Sequence, residues 1–326
     1  MQNNQPLVSI ITPSYNQGKY IEETLRSVIR QDYPSIEYIV IDGGSTDNSV
    51  AVINRYEDQL AYFVSEKDKG QSDAINKGFS KATGEIIAWL NSDDVYTQHA
   101  VTRAVDALAD CPECGFVFGN VLSIDMKSRV FNTMTFGDWG LEELARFKII
   151  SQPGIFMRKS ALDAVGFLNA DYDYLMDHHL WLKIAAMYPI QYFDQFWAAA
   201  RYHPAAKNLT GGAHYGDEAF MLIEWMKNDP DLQNIIESDE KKVTAGANHL
   251  RARYLLDSGE NWKSLLSYIK AAVGDPNILR TEYKRIAFAL INGVIPIECM
   301  KRSFLTQRTN MIKTKNYDRL LAYINE

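Results

Sequence analysis

Cysteine and long apolar runs are both scarce in this chain of 326 residues. Its 3 cysteines are too few for a disulfide framework or a four-thiolate zinc site, so we expect a reducing compartment, with the cytoplasm as the default. No run approaches the roughly 18 apolar residues that a transmembrane helix needs. The first residues also lack the basic flank and apolar core of a cleavable export signal, and we expect none.

The charge is unevenly distributed along the chain. The 34 basic and 41 acidic side chains give a net charge of -7, with 46% hydrophobic and 23% charged residues. These values are typical of one large or two modest globular domains and exclude a disordered chain. Residues 280–326 hold 9 basic and 4 acidic side chains, a charge of +5, which leaves -12 on residues 1–279. An acidic body argues against nucleic acid as a partner.

The first part of the chain alternates between two apolar patterns. Short runs rich in β-branched residues predict buried strands, and after each one apolar residues recur at helical spacing. The predicted strands are 8–12, 36–41, 60–64 and 86–90. This alternation predicts an α/β fold with a mostly parallel, Rossmann-like sheet that helices cover on both faces. Ligands bind beyond the carboxyl ends of the strands in such sheets.

After residue 115 the alternation loosens. The pattern predicts strands at 116–121, 130–136, 190–193 and 197–202, and a helix at 180–187. Residues 205–217 contain three glycines and are interpreted as a linker or mobile loop. We therefore predict a first domain over 1–204 and a helical C-terminal region over 218–326, with a helical hairpin at 252–272.

Polar clusters follow three of the predicted strands. Tyr15 follows the first strand and Asp42 ends the second, and a ring beside a carboxylate suits a nucleobase. Asp93 and Asp94 follow the fourth strand, and paired carboxylates suit a hard divalent cation that bridges to a diphosphate. Each cluster alone is equally consistent with a turn and a helix cap. Three clusters at one sheet edge favour a ligand site.

Two segments together resemble a known family. VSIITPSYNQGKYIEETLRSVIRQDYPSIEYIVIDGGSTDNS and, further on, EKDKGQSDAINKGFSKATGEIIAWLNSDD resemble the family-2 glycosyltransferases of the GT-A fold, over roughly residues 6–204. The resemblance implies a GT-A-type sheet and an inverting transfer of a sugar from a nucleotide sugar. It also implies nucleotide-binding positions, which are Pro13, Tyr15, Asp42, Lys69, Asp73, Asn91 and Ser92.

The family's Asp-X-Asp motif falls on Asn91-Ser92-Asp93, so Asn91 departs from the usual Asp. Asn keeps an acceptor oxygen but loses a charge, which weakens its attraction for a metal. The resemblance implies Mn²⁺ or Mg²⁺ on Asp93 and Asp94, with His203 as a third ligand. The alternative for His203 is a partly exposed loop histidine.

The segment YDYLMDHHLWLKIAAMYP places Asp177 at the family's catalytic-base position. Inverting transfer needs one base that takes the proton of the acceptor hydroxyl. A helix-capping role for Asp177 is the competing interpretation. His178 and His179 are adjacent and lie on different sides of a helix, which argues against a two-histidine metal site.

The resemblance implies an enzyme of polysaccharide or glycoconjugate biosynthesis that uses a nucleotide sugar, with a UDP-sugar as first expectation and a carbohydrate or lipid-linked acceptor. A non-catalytic nucleotide-sugar-binding relative is the alternative. A nucleotidyltransferase or a dehydrogenase would need a Gly-rich phosphate loop after the first strand, and ITPSYNQGKY supplies none.

The basic C-terminal region and the cysteine pair each leave two interpretations open. The apolar segment 286–297 between basic residues is either a core helix or a peripheral contact with the inner face of the membrane. Cys111 and Cys114 are interpreted as the turn after a helix rather than a redox or metal motif.

Overall fold

A computed structural model describes residues 5–204, 206–207, 211–294 and 317–322 of the chain. The C-terminal region is helical through Val294, as predicted. The predicted hairpin consists of the helices Gln233–Asp257 and Asn261–Gly274. The α-helices are α1 (Ile21–Ile29), α2 (Ser49–Asn54), α3 (Gln71–Lys81), α4 (Ala100–Asp110), α5 (Leu141–Ala145), α6 (Lys159–Val165), α7 (Met176–Met187), α8 (His214–Asn228), α9 (Gln233–Asp257), α10 (Asn261–Gly274), α11 (Asn277–Thr281) and α12 (Tyr283–Val294).

Nine strands form one sheet in the described part of the chain. They are β1 (Val8–Ser14), β2 (Ile36–Asp42), β3 (Tyr62–Ser65), β4 (Ile86–Trp89), β5 (Val95–Tyr96), β6 (Phe116–Ile124), β7 (Val130–Met134), β8 (Ile155–Arg158) and β9 (Ile190–Arg201). The order is β3-β2-β1-β4-β8-β6-β9-β5, with β7 paired to β6. The first four strands are parallel, as predicted, and β9 is parallel to β6.

The second half of the sheet is mixed and differs from the sequence prediction. β8 is antiparallel to both β4 and β6, and the two-residue strand β5 is antiparallel to β9. Neither β5 nor β8 is predicted from the sequence. The two strands predicted at 190–193 and 197–202 form one strand, β9, whose register against β6 shifts near Asn120. This irregularity explains why the apolar pattern is interrupted there.

Two cores lie on the two faces of the sheet, because alternate residues of a strand point to opposite faces. In β1, Ile10 belongs to one core and Ile11 to the other. Both residues are fully buried, as expected for a strand that helices cover on both faces. The carboxyl ends of β1 and β4 are therefore held rigidly at one edge.

The helix α8 begins at His214. The last four residues of the segment predicted as a loop, 214–217, are therefore helical, and the prediction is wrong for them. Residues 205 and 208–210 of the predicted loop lie outside the described part of the chain. Ala219, Leu222 and Met226 of α8 are fully buried in the same core as Trp181 of α7. The first helix of the C-terminal region thus completes the core of the α/β region.

The cysteine pair lies in a turn directly after α4, as predicted. Cys111 follows the last residue of that helix, and the structure joins Cys111 to Cys114 in a disulfide that the sequence analysis did not predict. Among the helices of the described residues, none combines the length and the apolar character that crossing a membrane requires.

Candidate active site

A cleft of about 1300 Å³ opens at the carboxyl ends of β1 and β4. It continues past the start of α7 to the C-terminal helices α9 and α12. Seven predicted site residues line it, and these are Pro13, Tyr15, Asn91, Ser92, Asp93, Asp94 and Asp177. The strand ends thus bring together residues that are far apart in sequence, as the parallel sheet predicts.

The loop after β1 presents the ring of Tyr15, which is 60% exposed. Asn16 adopts a left-handed backbone with φ 53°, a conformation that Asn tolerates better than most residues. Its side-chain oxygen accepts a hydrogen bond from the Thr46 N–H at 2.8 Å, and the Ser45 hydroxyl accepts one from the Asn16 N–H at 2.8 Å. The first two strand-end loops therefore hold each other, which leaves the Tyr15 ring free to stack on a ligand.

The structure does not place Asp42 as predicted. Its side chain is fully buried and is not among the residues that line the cleft. One carboxylate oxygen accepts hydrogen bonds from the Ser45 N–H at 2.8 Å and the Ser65 hydroxyl at 2.7 Å, and the other accepts from the Ser45 hydroxyl at 2.6 Å. Asp42 organises its own turn here, so the predicted contact with a nucleobase is not supported by this conformation.

Lys69 and Asp73 are likewise absent from the described lining of the cleft. The Asp73 carboxylate accepts a hydrogen bond from the Lys69 N–H at 3.1 Å and lies 3.5 Å from the Lys77 ammonium. The same segment does reach the cleft, but through Lys67, Asp68, Gly70 and Gln71. Local turn geometry thus directs other side chains of this segment into the cleft, and the contact of Lys69 and Asp73 with a nucleotide stays a prediction.

Asn91 links three elements at the end of β4. Its side-chain oxygen accepts a hydrogen bond from Gln71 at 2.8 Å, and its amide nitrogen donates to the Gln152 side chain at 3.4 Å. Gln152 in turn donates to the Trp89 carbonyl at 2.6 Å. An aspartate at position 91 would lack the donor to Gln152. The departure from the family motif thus fits the surroundings of this residue.

The predicted metal set of Asp93, Asp94 and His203 is only partly assembled. His203 Nε2 donates to Asp93 Oδ2 at 2.9 Å, and the ring of His203 lies 5.0 Å from that of Tyr20. Asp94 is buried and accepts a hydrogen bond from the Arg201 N–H at 2.8 Å. Burial, and then the charge of Asp93, raise the pKa of Asp94 well above its ordinary value.

Within the described residues, no group of three His, Cys, Asp or Glu side chains is arranged to hold a metal ion. The Asp94 carboxylate is engaged with the backbone of β9 in this structure, and its role as a metal ligand stays a prediction. Asp93 and His203 are nevertheless a fitting donor pair, because Mg²⁺ and Mn²⁺ accept one or two protein ligands and take phosphate oxygens for the rest.

Arg201 is a structural centre that the sequence pattern does not reveal. Its side chain is fully buried and pairs with Glu23 at 2.7 Å, and its Nε donates to the Asp93 carbonyl at 2.8 Å. The guanidinium also lies 4.9 Å from the ring centre of Tyr20. Arg201 and Glu23 are 178 residues apart, so no local pattern could have revealed the pair.

Asp177 is the second residue of α7 and lines the cleft. Its Oδ1 accepts a hydrogen bond from the N–H of the following residue, His178, at 2.7 Å. The cap position is Leu175, and no side chain caps the helix, so the capping alternative is not realised. Burial raises the pKa of the Asp177 carboxyl from 3.8 to about 6, and the charge of Glu218 adds to this.

Glu218 of α8 is a site residue that the sequence analysis missed. Its buried carboxylate accepts three backbone hydrogen bonds from the loop before Asp177, from the N–H groups of Asp173 at 2.8 Å, Tyr174 at 2.9 Å and Leu175 at 2.7 Å. Bonds of this kind to a carboxylate are among the stronger ones in proteins. The C-terminal region therefore fixes the start of the helix that carries Asp177.

The histidine pair in α7 behaves as predicted. His178 Nε2 lies 2.9 Å from the Leu144 carbonyl, whereas the His179 ring stacks on Tyr172 at 4.8 Å. Burial lowers the pKa of both imidazoles to about 4, so both are neutral at physiological pH. They are core histidines with separate neighbours.

The pKa of Asp177 gives a testable pH dependence. A base must be ionised to accept a proton, so we expect kcat/KM to rise with pH through a midpoint near 6 and to level off above about pH 7. The profile should be measured with a transferase assay in which nucleoside diphosphate release is followed between pH 4.5 and 8.5. A rate that is flat across this range would contradict the role of Asp177 as the base.

The chain matches known proteins over its first half. Residues 9–165 match the profile of "Glycosyl transferase family 2". An uncharacterized glycosyltransferase of Mycobacterium tuberculosis is 33% identical over 55% of this chain and 69% of its own length. The putative teichuronic acid biosynthesis glycosyltransferase TuaG of Bacillus subtilis is 36% identical over 36% of this chain and 48% of its own length. The chain spans only 34 to 40% of the length of three other curated relatives that it matches.

Two solved structures share the fold over most of the chain. S. aureus TarS 1-349 in complex with UDP-GlcNAc has a TM-score of 0.57 at 17% identity, and the match covers 86% of this chain and 92% of that 1-349 chain. The mannosyltransferase PcManGT from Pyrobaculum calidifontis, in complex with GDP-Man and Mn²⁺, has a TM-score of 0.56 at 20% identity, covering 91% and 89%. These likenesses establish the GT-A type of fold. Together with the profile and the Mycobacterium relative, they show that the chain belongs to glycosyl transferase family 2.

Proposed function

We propose that this chain is an inverting glycosyltransferase that moves a sugar from a nucleoside diphosphate sugar to an acceptor hydroxyl. The observation that carries the proposal is the position of Asp177, whose carboxyl has a pKa of about 6 and lines the same cleft as Tyr15 and Asp93. A base with a pKa near the working pH is well matched to proton transfer. One such carboxylate is sufficient for a single displacement.

In the proposed reaction the acceptor oxygen bonds to the anomeric carbon while the bond from that carbon to the diphosphate oxygen breaks. Asp177 takes the proton of the acceptor hydroxyl as the new bond forms, and the anomeric configuration inverts. Glu218 holds the loop that positions Asp177, through three backbone hydrogen bonds. Mn²⁺ or Mg²⁺ on Asp93 and His203 would neutralise the charge of the departing diphosphate.

A uridine diphosphate sugar is the donor we propose first. The exposed ring of Tyr15 offers a stacking surface for a base, and the similar TarS structure contains UDP-GlcNAc. Guanosine is the second candidate, because PcManGT contains GDP-Man. The far part of the cleft is lined by aromatic rings suited to a sugar acceptor, among them Phe136, Trp139 and Tyr254. With the name of TuaG, this supports a role in polysaccharide or glycoconjugate biosynthesis.

Thermal melting with nucleotides tests the proposal. The purified protein would be heated with uridine, thymidine, guanosine or cytidine diphosphate, each with Mn²⁺ or with EDTA. A nucleotide at 100 times its Kd stabilises the fold by about 2.7 kcal/mol, which we expect for UDP with Mn²⁺. The Asp93→Asn variant is the matched control, and in it the dependence of the shift on the metal should be lost.

Two outcomes would contradict the proposal in different ways. A shift that EDTA does not reduce would remove the assignment of Asp93 and His203 to a metal. A normal shift without any sugar transfer to candidate acceptors would favour the alternative function, a non-catalytic protein that binds nucleotide sugars.

A further inference from the structure

The helix α10 carries an exposed apolar stripe. Trp262, Leu266, Ile269 and Val273 recur at intervals of four, three and four residues and are 52 to 83% exposed. Residues at this spacing share one face of a helix. The opposite face, with Tyr268 and Ala271, is fully buried against α9. An apolar stripe on the solvent side is unusual, because a surface helix normally presents polar residues there.

The helix α12 repeats the pattern of α10. Tyr283, Ala287, Leu290 and Val294 follow the same spacing and are exposed. The start of α10 packs against the end of α12. A side-chain carbon placed at Gly293 of α12 would lie only 3.2 Å from the Trp262 ring. We call the exposed apolar residues of α10 and α12 the apolar face, and it comprises Trp262, Leu266, Ile269, Val273, Tyr283, Ala287, Leu290, Ile291 and Val294.

Exposed lysines lie beside the apolar face. Neither α10 nor α12 contains an acidic residue, whereas Lys263, Lys270 and Lys284 are exposed next to the apolar stripes. The acidic residues that precede the two helices are engaged, since Glu260 pairs with Lys263 at 2.5 Å and Glu282 with His249 at 3.1 Å. Lysines beside an apolar stripe are the composition of a helix that lies in a membrane interface.

The apolar face lies on the side of α12 away from the cleft. Phe288 and Asn292 line the cleft, and at 100° per residue they lie on the side of α12 opposite to Tyr283, Leu290 and Val294. One helix thus separates the cleft from the apolar face. A bilayer bound to this face would hold lipid headgroups beside the end of the cleft where we place the acceptor.

We propose that the apolar face docks on a bilayer containing anionic lipid. A second copy of the chain fits less well, because a two-fold interface would bring the lysines of one face against those of the other. The segment 295–316 fits no better as an occupant, because its 5 basic and 1 acidic side chains do not complement the lysines beside the face. The proposal goes beyond the proposed transfer reaction and does not depend on it.

The sequence analysis considered membrane contact through residues 286–297 and left a core helix as the alternative. The structure divides that segment, since Phe288 and Ala289 are buried while Leu290, Ile291 and Val294 are exposed. Residues 295–297 lie outside the described part of the chain. The surface proposed here is larger, and four of its nine residues belong to α10, which lies outside that segment.

Vesicle co-sedimentation of the full chain tests the proposal. Vesicles of phosphatidylcholine alone would be compared with vesicles containing roughly a third phosphatidylglycerol. We expect binding to the anionic vesicles at least about tenfold above the neutral ones, and a loss of binding at high salt. Each Lys→Gln substitution should weaken binding about fivefold, so the Lys270→Gln, Lys284→Gln double variant should bind about 25-fold more weakly.

The apolar contribution is tested separately with the double variant Leu266→Ser, Ile269→Ser. Both residues are more than half exposed, so melting should be unchanged while vesicle binding falls about 10-fold to 100-fold. Met221→Ser is the matched control, because Met221 is an exposed apolar residue of α8 outside the apolar face, and its binding should equal that of the wild type.

Two results would overturn the proposal. One is equal sedimentation of the wild type and the Leu266→Ser, Ile269→Ser variant with anionic vesicles. The other is a dimer in sedimentation equilibrium that this variant dissociates, without vesicle binding by either protein. That second result would assign the apolar face to another copy of the chain. Both readouts are independent of sugar transfer, so they leave the proposed reaction untouched.

Discussion

Replacing Asp177 with Asn should lower kcat by about 10²- to 10⁴-fold while nucleotide binding is retained. Asn cannot accept the proton of the acceptor hydroxyl, whereas the stacking ring of Tyr15 and the Asp93–His203 pair are unchanged in this variant. The measurement is turnover of a nucleotide sugar beside the melting shift with the matching nucleoside diphosphate. Asp171→Asn is the control, because Asp171 is an exposed carboxylate of the same loop that does not line the cleft.

The same variant should be more stable than the wild type at neutral pH. The pKa of Asp177 is raised in the folded state, so its contribution to stability is greatest below its unfolded value of 3.8 and is lost as the pH rises through about 6. At pH 7.5 the ionised, partly buried carboxylate therefore costs at most about 3 kcal/mol, which Asn removes. A variant that is inactive and also less stable at pH 7.5 would indicate damage to the fold instead of loss of a base.

Replacing Arg201 with Met should destabilise the protein by about 3–5 kcal/mol. The guanidinium is fully buried and donates to Glu23 and to the Asp93 carbonyl, so its removal leaves both acceptors without this donor. Urea unfolding measures the loss. Arg129→Met is the matched control, because Arg129 pairs with Asp125 but is 70% exposed, and the change there should stay within about 1 kcal/mol.

A double variant makes the Arg201 prediction sharper. Glu23→Gln alone should cost less than Arg201→Met, because the side chain of Glu23 is 36% exposed and can be solvated. The two substitutions together should cost less than their sum, since the partner left unpaired by each single change is then removed. Strict additivity would show that the pair contributes nothing beyond its two separate side chains.

The first half of the sheet and the site at its edge were predictable because their signals are local. Each strand from β1 to β4 is a run of apolar residues, and the polar residues after β1 and β4 follow directly in sequence. The hydrogen bonds of Asp42, Lys69 and Asp73 could not be predicted in the same way, because local sequence does not show whether a carboxylate is already satisfied by its own turn. Asp42 accepts hydrogen bonds from Ser45 and from Ser65, 23 residues away.

The remaining features depend on contacts between distant parts of the chain. The strand β8 has four residues and is defined by its two antiparallel neighbours, β4 and β6, not by its own pattern. Arg201 pairs with Glu23, which is 178 residues away in sequence. Glu218 accepts hydrogen bonds from the loop before α7, which lies more than 40 residues earlier in the chain. Such pairs are set by the packing of the whole sheet, which a single sequence does not reveal.

The three hydrogen bonds that Glu218 accepts limit where the chain can be truncated or joined to a relative. A fragment that ends after β9 would keep every cleft residue up to Arg201, yet it would lose the carboxylate that anchors the loop before Asp177 and the helix that covers Trp181. Chimaeras that exchange acceptor specificity among relatives should therefore be joined after Asn228, beyond α8. The swappable module would then begin with α9, which carries Arg253 and Tyr254 of the cleft wall.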